Sequence, residues 1–367
     1  METILDPLQR NLGHSMREGE RVKKYGIPYR GSKSFIAEWI VDEILPKGER
    51  LVDLFAGGCA VTHCAMTKHK YKSHLVVDIN DIPQLFIDAV NGRYRDEKRW
   101  ISSDDFYRLK DNDAYVRCCW SFGNNLQDYL YGRKIEPYKK ACHYAVVLDE
   151  WGMFEACCPE VCECAKNALD GISDIKERRL KFQQSIVNWI KENGTVEMVE
   201  RNTLYSSIKK NKNSDFQSLE SLQSLQSLQS LERLERIQSL ERLERLQSLE
   251  RLESLESLES LQYRRMSYEQ YEHKDGDVVY ADPPYETSEI IYGMDCVFDK
   301  MRFCDWVRTR DYAVFVSEYK MPDDFIAVGS RKKNTSFSAT SSINKIENVF
   351  LHEKWVDEWR MKRNLLF

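Results

Sequence analysis

The stretch LVDLFAGG, residues 51–58, is a short apolar run that leads directly into two glycines. Its residue types favour a buried strand, and glycines at the carboxyl end of a strand let the backbone come close to a ligand. The run HLVVDIN (74–80) has a similar form, an apolar strand that ends in an acidic residue. We therefore expect a mostly parallel sheet whose polar strand ends meet at one edge.

Two further strands are predicted after a long variable stretch. They are DVVYADPPY (277–285) and YAVFVSEY (312–319), with a helix around residues 300–310 between them. Strands that alternate with helices are typical of α/β proteins, in which open sheets bind nucleotides at the carboxyl edge.

A helix is also predicted before the first strand. Its apolar residues recur at helical spacing, namely Phe35, Ile36, Trp39, Ile40 and Ile44. Ser32 or Ser34 is expected to cap this helix, and Pro46 with Gly48 is expected to end it.

A rigid corner follows the strand at 278–281. Pro283 and Pro284 remove two backbone donors and restrict two φ angles, so neither a strand nor a helix continues through them. The corner holds the carboxylate of Asp282 and the ring of Tyr285 at a fixed separation, which predicts a site that grips a ligand.

The bulk composition limits the class of protein. The chain has 367 residues, 42% of them apolar, so it can form a core domain with an appended one. No apolar run approaches the roughly 20 residues of a membrane span, and the polar first 20 residues do not resemble a secretory signal. We expect a cytoplasmic protein with no membrane association.

Eleven cysteines, an odd number, argue against a disulfide framework in such a chain. The cluster CCPEVCEC (157–164) lacks the paired spacing of a zinc site. Buried, reduced thiols are the expected state, no metal site is predicted, and a metal at this cluster is the alternative.

Residues 218–262 form fifteen consecutive triplets with Leu, or once Ile, in the middle position. A period of three matches neither a strand nor an α-helix, although the composition favours helix. The segment is either a spacer of variable length or an array that positions a partner. It carries nine Glu and five Arg, so most of the net charge of −5 lies there and the rest of the chain is nearly neutral.

The sequence lacks both GxGxxG and GxxxxGK[ST] phosphate-binding motifs. A nucleoside ligand without phosphates fits better, and S-adenosylmethionine is the obvious candidate. Asp78 is then a candidate for the ribose hydroxyls and Asp53 for a contact in the first loop.

The order of four motifs resembles the D12 class of DNA adenine-N6 methyltransferases, the Dam-like enzymes. The motifs are YRGSK (29–33), DLFAGG (53–58), DIN (78–80) and, after the variable stretch, DPPY (282–285). The resemblance covers roughly residues 27–80 and 277–350. It implies a Rossmann-like, S-adenosylmethionine-dependent methyltransferase fold of the α/β class, with an inserted, largely helical target-recognition region.

The resemblance implies a catalytic role for the DPPY corner. Asp282 would accept one hydrogen of the adenine N6 amine, the Pro283 carbonyl would accept the other, and Tyr285 would stack on the base, with Pro284 completing the corner. The base must first leave the duplex, because its N6 is otherwise paired.

Cofactor-binding residues are implied in the same way. The segment with Tyr29, Gly31 and Lys33 would lie near the methionine part, and Phe55, Ala56 and Gly57 would lie along the cofactor. Asp53, Asp78 and Asp282 complete this set.

The implied domains are an N-terminal extension (1–26), a catalytic domain (27–130 and 276–367) and a target-recognition insert (131–275) that contains the repeat. Double-stranded DNA is the expected partner, in a prokaryotic or phage-encoded enzyme with or without a cognate restriction endonuclease. Candidate DNA contacts are Asn124, Asn125, Lys209, Lys210, Arg331, Lys332 and Lys333. The target sequence and the oligomeric state stay open.

Two alternatives remain. Cytosine N4 or an RNA base also presents an exocyclic amine that the same corner could hold. A DNA-binding scaffold that has lost activity and acts through its repeat is the non-enzymatic alternative, and the intact DPPY corner argues against it.

Overall fold

The computed structural model describes residues 25–27, 31–94, 97–193, 260–284, 298–336 and 342–364. Within them, seven strands form one sheet with the order β3-β2-β1-β4-β5-β7-β6. The strands are β1 Arg50–Leu54, β2 Ser73–Asp78, β3 Leu261–Arg265, β4 Asp277–Ala281, β5 Val314–Glu318, β6 Phe325–Ser336 and β7 Ser342–His352. Strands β1 to β5 pair in parallel, and β7 runs antiparallel to both β5 and β6.

Helices cover the sheet and form a separate helical region. They are α1 Ala37–Trp39, α2 Ala60–Thr67, α3 Ile82–Val90, α4 Ser103–Leu109, α5 Ala114–Cys119, α6 Glu136–His143, α7 Gly152–Cys157, α8 Pro159–Leu169, α9 Ile175–Asn193, α10 Lys300–Arg308 and α11 Glu353–Asn364. π-Helical turns at Ile40–Ile44 and Tyr144–Leu148 extend α1 and α6.

Both faces of the sheet are buried, which is why its central strands are continuous apolar runs. On one face, α1, α2 and α11 contribute Trp39, Val61 and Trp359 to a single core with β1 and β4. On the other face, Phe303 and Trp306 of α10 pack against β1, β4 and β5.

The helical region has a core of its own. Phe154, Val161, Phe182 and Ile186 are buried among α6 to α9. In contrast, α4 and α5 share a core with β2 and α3, in which Phe106 and Trp120 are fully buried. Residues up to about 131 therefore pack with the sheet, and the chain leaves it at α6.

The predicted α/β architecture is confirmed in its general form. Strands lie at the four predicted places, and α10 occupies the predicted helix around 300–310.

Three strands were not predicted, namely β3, β6 and β7. Leu261–Arg265, sequence LQYRR, pairs with β2 at the edge of the sheet. An edge strand with polar side chains lacks the apolar run by which the others were found. The strand before DPPY is therefore the fourth of the sheet and not the third.

β3 falls within the predicted insert (131–275). The sheet resumes at Leu261, and the last triplet of the repeat enters β3 at Leu261 and Gln262. Triplet residues 218–259 lie outside the described residues.

The predicted serine cap of the first helix is wrong. Ile36 occupies the cap position, with no side-chain hydrogen bond to the helix. The Ser34 hydroxyl instead accepts the backbone N–H of Tyr25 at 2.7 Å, and Phe35 is exposed. Tertiary contacts of the segment that precedes the helix thus outweigh the local capping preference.

Cys158 and Cys162 lie in the core of the helical region, whereas Cys164 is exposed. Among the described residues, no group of three or more His, Cys, Asp or Glu side chains could hold a metal ion. The helices in the described part of the chain are all too short or too polar to cross a membrane.

A Gly329→Ala substitution should destabilise the fold. Gly329 follows a register shift in β6, and a Cβ there would lie 2.8 Å from Trp39 Cζ2 and in closer conflict with the Ile44 side chain. We expect overpacking to lower the free energy of unfolding by about 1–3 kcal/mol, measured by urea denaturation. Gly152→Ala is the matched control, since a Cβ at Gly152 meets nothing within 4 Å; equal effects of the two substitutions would contradict the prediction.

Candidate functional site

The candidate site lies at the carboxyl edge of the sheet, where β1 and β4 end side by side. Leu54 is in register with Ala281, and the Asp282 backbone N–H donates to the Leu54 carbonyl at 3.2 Å. The glycine loop after β1 and the DPPY corner after β4 are therefore neighbours, although more than 200 residues separate them in the sequence.

The loop after β1 has three residues in the left-handed region, Phe55 (φ 60°), Gly57 (φ 48°) and Cys59 (φ 58°). Glycine adopts this conformation without strain, whereas phenylalanine does so at a cost. The strained turn places the Gly57 N–H 2.8 Å from Asp78 Oδ2.

Asp78 joins this loop to the loop after β2. Its Oδ1 accepts the backbone N–H and the side-chain amide of Asn80, at 3.0 and 2.6 Å, while Oδ2 accepts from Gly57. Burial raises the pKa of Asp78 to about 6, although these hydrogen bonds oppose the shift. The carboxylate thus orders both loops at the edge of the site.

Asp53 is a second buried carboxylate, on β1. Its Oδ2 accepts a hydrogen bond from the Thr62 hydroxyl of α2 at 2.7 Å. Burial, with smaller contributions from the charges of Asp282 and Asp78, raises the pKa of Asp53 from 3.8 to about 7. The group therefore changes its charge close to neutral pH.

Asp282 forms a close ion pair with Lys33. The Lys33 ammonium lies 2.6 Å from Oδ1 and 2.7 Å from Oδ2. The Lys33 side chain is only 4% exposed, while that of Asp282 is 14% exposed. The pair joins the segment before α1 to the DPPY corner and leaves part of the carboxylate accessible.

Gly31 lies close to this pair, since its carbonyl is 3.4 Å from Lys33 Nζ. Its φ of 95° is in the region that favours glycine. A Cβ there would have open space, so the backbone conformation, and not crowding, favours glycine at this position.

A small cleft brings most of these groups together. It is lined by Ser32, Lys33, Asp53, Phe55, Ala56, Gly58, Ala60, Val61, Tyr280 and Asp282. Predicted cofactor residues from three segments of the sequence thus share one cleft. Gly57 and Asp78 adjoin it through the loop after β1.

The end of β5 supplies further polar groups. The Tyr280 hydroxyl and the Ser317 hydroxyl lie 2.7 Å apart and are buried. Glu318 accepts the Tyr319 N–H at 2.6 Å and lies 3.4 Å from the Lys300 ammonium. Burial raises the pKa of Glu318.

Two features were missed from the sequence. Glu347 of β7 is fully buried, and its Oε1 is 3.6 Å from Lys33 Nζ. The ring of Phe55 packs against Tyr268, Phe298 and Phe303, with centroids 5.2 to 5.5 Å apart. No motif marks either feature, because both depend on strands and loops that meet only in the folded chain.

Several predicted site residues lie outside the described residues, namely Tyr29, Tyr285, Lys209 and Lys210. Pro283 is buried and Pro284 is half-buried, directly after Asp282. The roles predicted for all six residues stay predictions.

The predicted loop residues Asn124 and Asn125 lie at a turn after α5. The Asn125 side chain accepts the N–H groups of Gln127 and Asp128 and donates to the Asp128 carboxylate at 2.7 Å. Asn125 therefore closes this turn. Asn124 has φ 56° and a buried side-chain oxygen.

The basic candidates at the other end of the chain lie on β6. Arg331 is half-buried and is in register with Glu347 of β7. Lys332 and Lys333 follow on the same strand, in register with Ile346 and Lys345.

Residues 29–116 match the model of the D12 class N6 adenine-specific DNA methyltransferase family. The predicted resemblance to this family is confirmed over that segment. It includes β1, β2 and the glycine loop, and it ends before DPPY. The match supports methylation of adenine in DNA as the general activity. No curated protein matches the chain.

The raised pKa of Asp53 makes a prediction about stability. A carboxyl group whose pKa is higher in the folded state contributes stability at low pH, and this contribution is lost as the pH rises from about 4 to about 7. We expect the free energy of unfolding of the native protein to fall by up to about 1.4 kcal/mol per pH unit in this window because of Asp53. Asp53→Asn keeps an acceptor for the Thr62 hydroxyl, and it should remove this contribution to the pH dependence of the free energy of unfolding.

Urea unfolding of the native and Asp53→Asn proteins at pH 5, 6, 7 and 8 measures how the free energy of unfolding of each protein depends on pH. Identical pH dependence in the native and Asp53→Asn proteins would contradict the prediction.

Proposed function

We propose that the protein transfers a methyl group from S-adenosylmethionine to the N6 amine of a flipped adenine in double-stranded DNA. The observation that carries this proposal is the Asp282 carboxylate just after β4, which lines one cleft with residues of the glycine loop after β1. The family match at residues 29–116 supports the same reaction.

The chemistry of the cleft fits S-adenosylmethionine. The carboxylates of Asp53 and Asp282 line it, and negative charge suits a sulfonium cation. Asp78 has lone pairs beyond those used by Gly57 and Asn80, which suits ribose hydroxyls. Phe55 and Ala56 supply apolar contact, and Gly31 and Lys33 lie on the side of the methionine part.

The cofactor, when bound, supplies an electrophilic methyl group. The protein has to hold and polarise the adenine amine, whose lone pair is delocalised into the ring, in line with that methyl. Asp282 accepts one N6 hydrogen and the Pro283 carbonyl accepts the other, which increases the electron density on N6. Tyr285 stacks on the flipped base, and Pro284 keeps the corner rigid.

DNA binding is assigned to two regions. Arg331, Lys332 and Lys333 on β6, with Lys209 and Lys210, supply cations for phosphates. The helical region α6 to α9 belongs to the target-recognition insert. A cognate restriction endonuclease stays a prediction from the family.

Methyl transfer from labelled S-adenosylmethionine to unmethylated genomic DNA tests the reaction, with nucleoside analysis of the product. We expect N6-methyladenine from the native protein. Asp282→Ala should lower kcat by about 100-fold or more, because the acceptor for the N6 hydrogen is lost. Asp357→Ala, at an exposed carboxylate of α11, should retain native activity.

The product distinguishes the alternatives. If the product were N4-methylcytosine, the substrate base would be cytosine. If RNA but not DNA became labelled, the substrate would be RNA. An absence of product from either nucleic acid would contradict the proposal and favour the scaffold function.

Asp78→Asn should weaken cofactor binding. In the Asp78→Asn protein, an NH₂ donor replaces one of the two carboxylate oxygens that accept the Gly57 and Asn80 N–H groups. The two loops that Asp78 joins should therefore lose their order. We expect the Kd for S-adenosylmethionine, from calorimetry, to rise by about 10-fold or more, equivalent to about 1.4 kcal/mol. An unchanged Kd would show that Asp78 does not order this site.

A further inference from the structure

The segment 25–27 packs directly against the glycine loop after β1. The Ile27 backbone N–H donates to the Gly58 carbonyl at 2.8 Å. Gly26 has a φ of 68°, and a Cβ there would collide with the Gly58 carbonyl and lie 2.8 Å from the Ala60 backbone N. The two backbones are therefore in contact, and the lack of a side chain at Gly26 permits it.

This contact orients part of the candidate cofactor cleft, which Gly58 lines. The peptide unit between Gly58 and Cys59 is held from both sides. Its N–H donates to the Ala56 carbonyl at 2.7 Å, and its carbonyl accepts from Ile27. Segment 25–27 thus supplies one of the two hydrogen bonds that fix this peptide unit.

His63 of α2 holds the segment in place. Its Nδ1 accepts the Gly26 backbone N–H at 2.8 Å, and its ring makes an edge-to-face contact with Tyr25, with centroids 5.3 Å apart. A backbone N–H can only donate, so Nδ1 carries no proton. Burial lowers the pKa of His63 to about 4, and the imidazole is therefore a neutral acceptor at neutral pH.

The glycine loop needs such support because its backbone is strained. Phe55 and Cys59 both adopt left-handed conformations, which cost free energy in residues that have a Cβ. A loop that lost its contact with segment 25–27 would relax in the free protein. Cofactor binding would then have to restore the strained conformation, at the expense of affinity.

We propose that His63 is a positioning residue for the cofactor, which accepts the Gly26 N–H and so holds segment 25–27 against Gly58, keeping the glycine loop in the conformation that binds S-adenosylmethionine. This inference rests on the proposed function. His63 itself need not touch the cofactor.

The alternative is that His63 only fills space in the core. Its ring also packs against Phe86, with centroids 5.7 Å apart. A space-filling role depends on the size of the side chain, whereas the proposed role depends on an acceptor at the position of Nδ1.

Two amide substitutions distinguish these roles in calorimetric titrations with S-adenosylmethionine. The Asn amide lies where the imidazole has Nδ1, whereas the longer Gln amide reaches the position of Nε2. We expect His63→Gln to raise the Kd on the order of 10-fold and His63→Asn to stay within about twofold of the native Kd. Space filling predicts the reverse order, because Gln is closer to His in size.

His74→Gln is the matched control. His74 is a second buried histidine, on β2, and neither of its ring nitrogens has a hydrogen-bond partner among the described residues. We expect this substitution to leave the Kd for S-adenosylmethionine unchanged even where it lowers thermal stability. Thermal unfolding of every variant checks its fold.

Steady-state methyl transfer gives a second readout. In His63→Gln, KM for S-adenosylmethionine should rise on the order of 10-fold, while kcat at saturating cofactor stays within about twofold of the native value. The reason is that the substitution leaves the DPPY corner unchanged.

Gly26→Ala tests the same contact from its other side. The added methyl group would push the segment away from Gly58, so the Kd should again rise on the order of 10-fold. Because both substitutions act through one contact, adding His63→Gln to Gly26→Ala should change the Kd by less than about twofold.

Several outcomes would overturn the inference. They are a native Kd in folded His63→Gln, an equal loss of affinity in His63→Asn or in His74→Gln, and full additivity of His63→Gln with Gly26→Ala. If His63→Gln does not fold, a native Kd in Gly26→Ala or a weakened one in His63→Asn would overturn it. Native protein that binds no S-adenosylmethionine would instead overturn the proposed function, and this inference with it.

Discussion

The ion pair between Lys33 and Asp282 closes the candidate site. The two residues are 249 positions apart in the chain, so the pair can form only after the segment before α1 has packed against the end of β4. Both groups are largely removed from water, so water screens their attraction only weakly. The segment that carries Gly31, the glycine loop and the DPPY corner are thereby held in one arrangement.

Burial determines the chemistry of the groups around this pair. Asp53 and Asp78 are nearly inaccessible, and their pKa values rise to about 7 and about 6. Their hydrogen bonds to Thr62 and Gly57 limit that rise.

The chain between β2 and β3 leaves the sheet and returns to it at its edge. The chain leaves the sheet after the helices that pack on β2, builds the helical core of α6 to α9, and returns at β3, the edge strand. Only β2 has to pair with the returning strand. The helices can therefore vary without disturbing the contact between β1 and β4 on which the site depends.

The sequence by itself determined the central strands, the glycine loop and the rigid corner at Asp282, because apolar runs, glycines and prolines act through local backbone preferences. It also indicated a resemblance to the D12 class, which the family match confirms over residues 29–116. The edge strand β3 and the Ile36 cap were decided by tertiary packing, which outweighs weak local signals. Glu347 and the ring cluster around Phe55 could not be predicted, since burial and charge compensation arise only when distant strands meet.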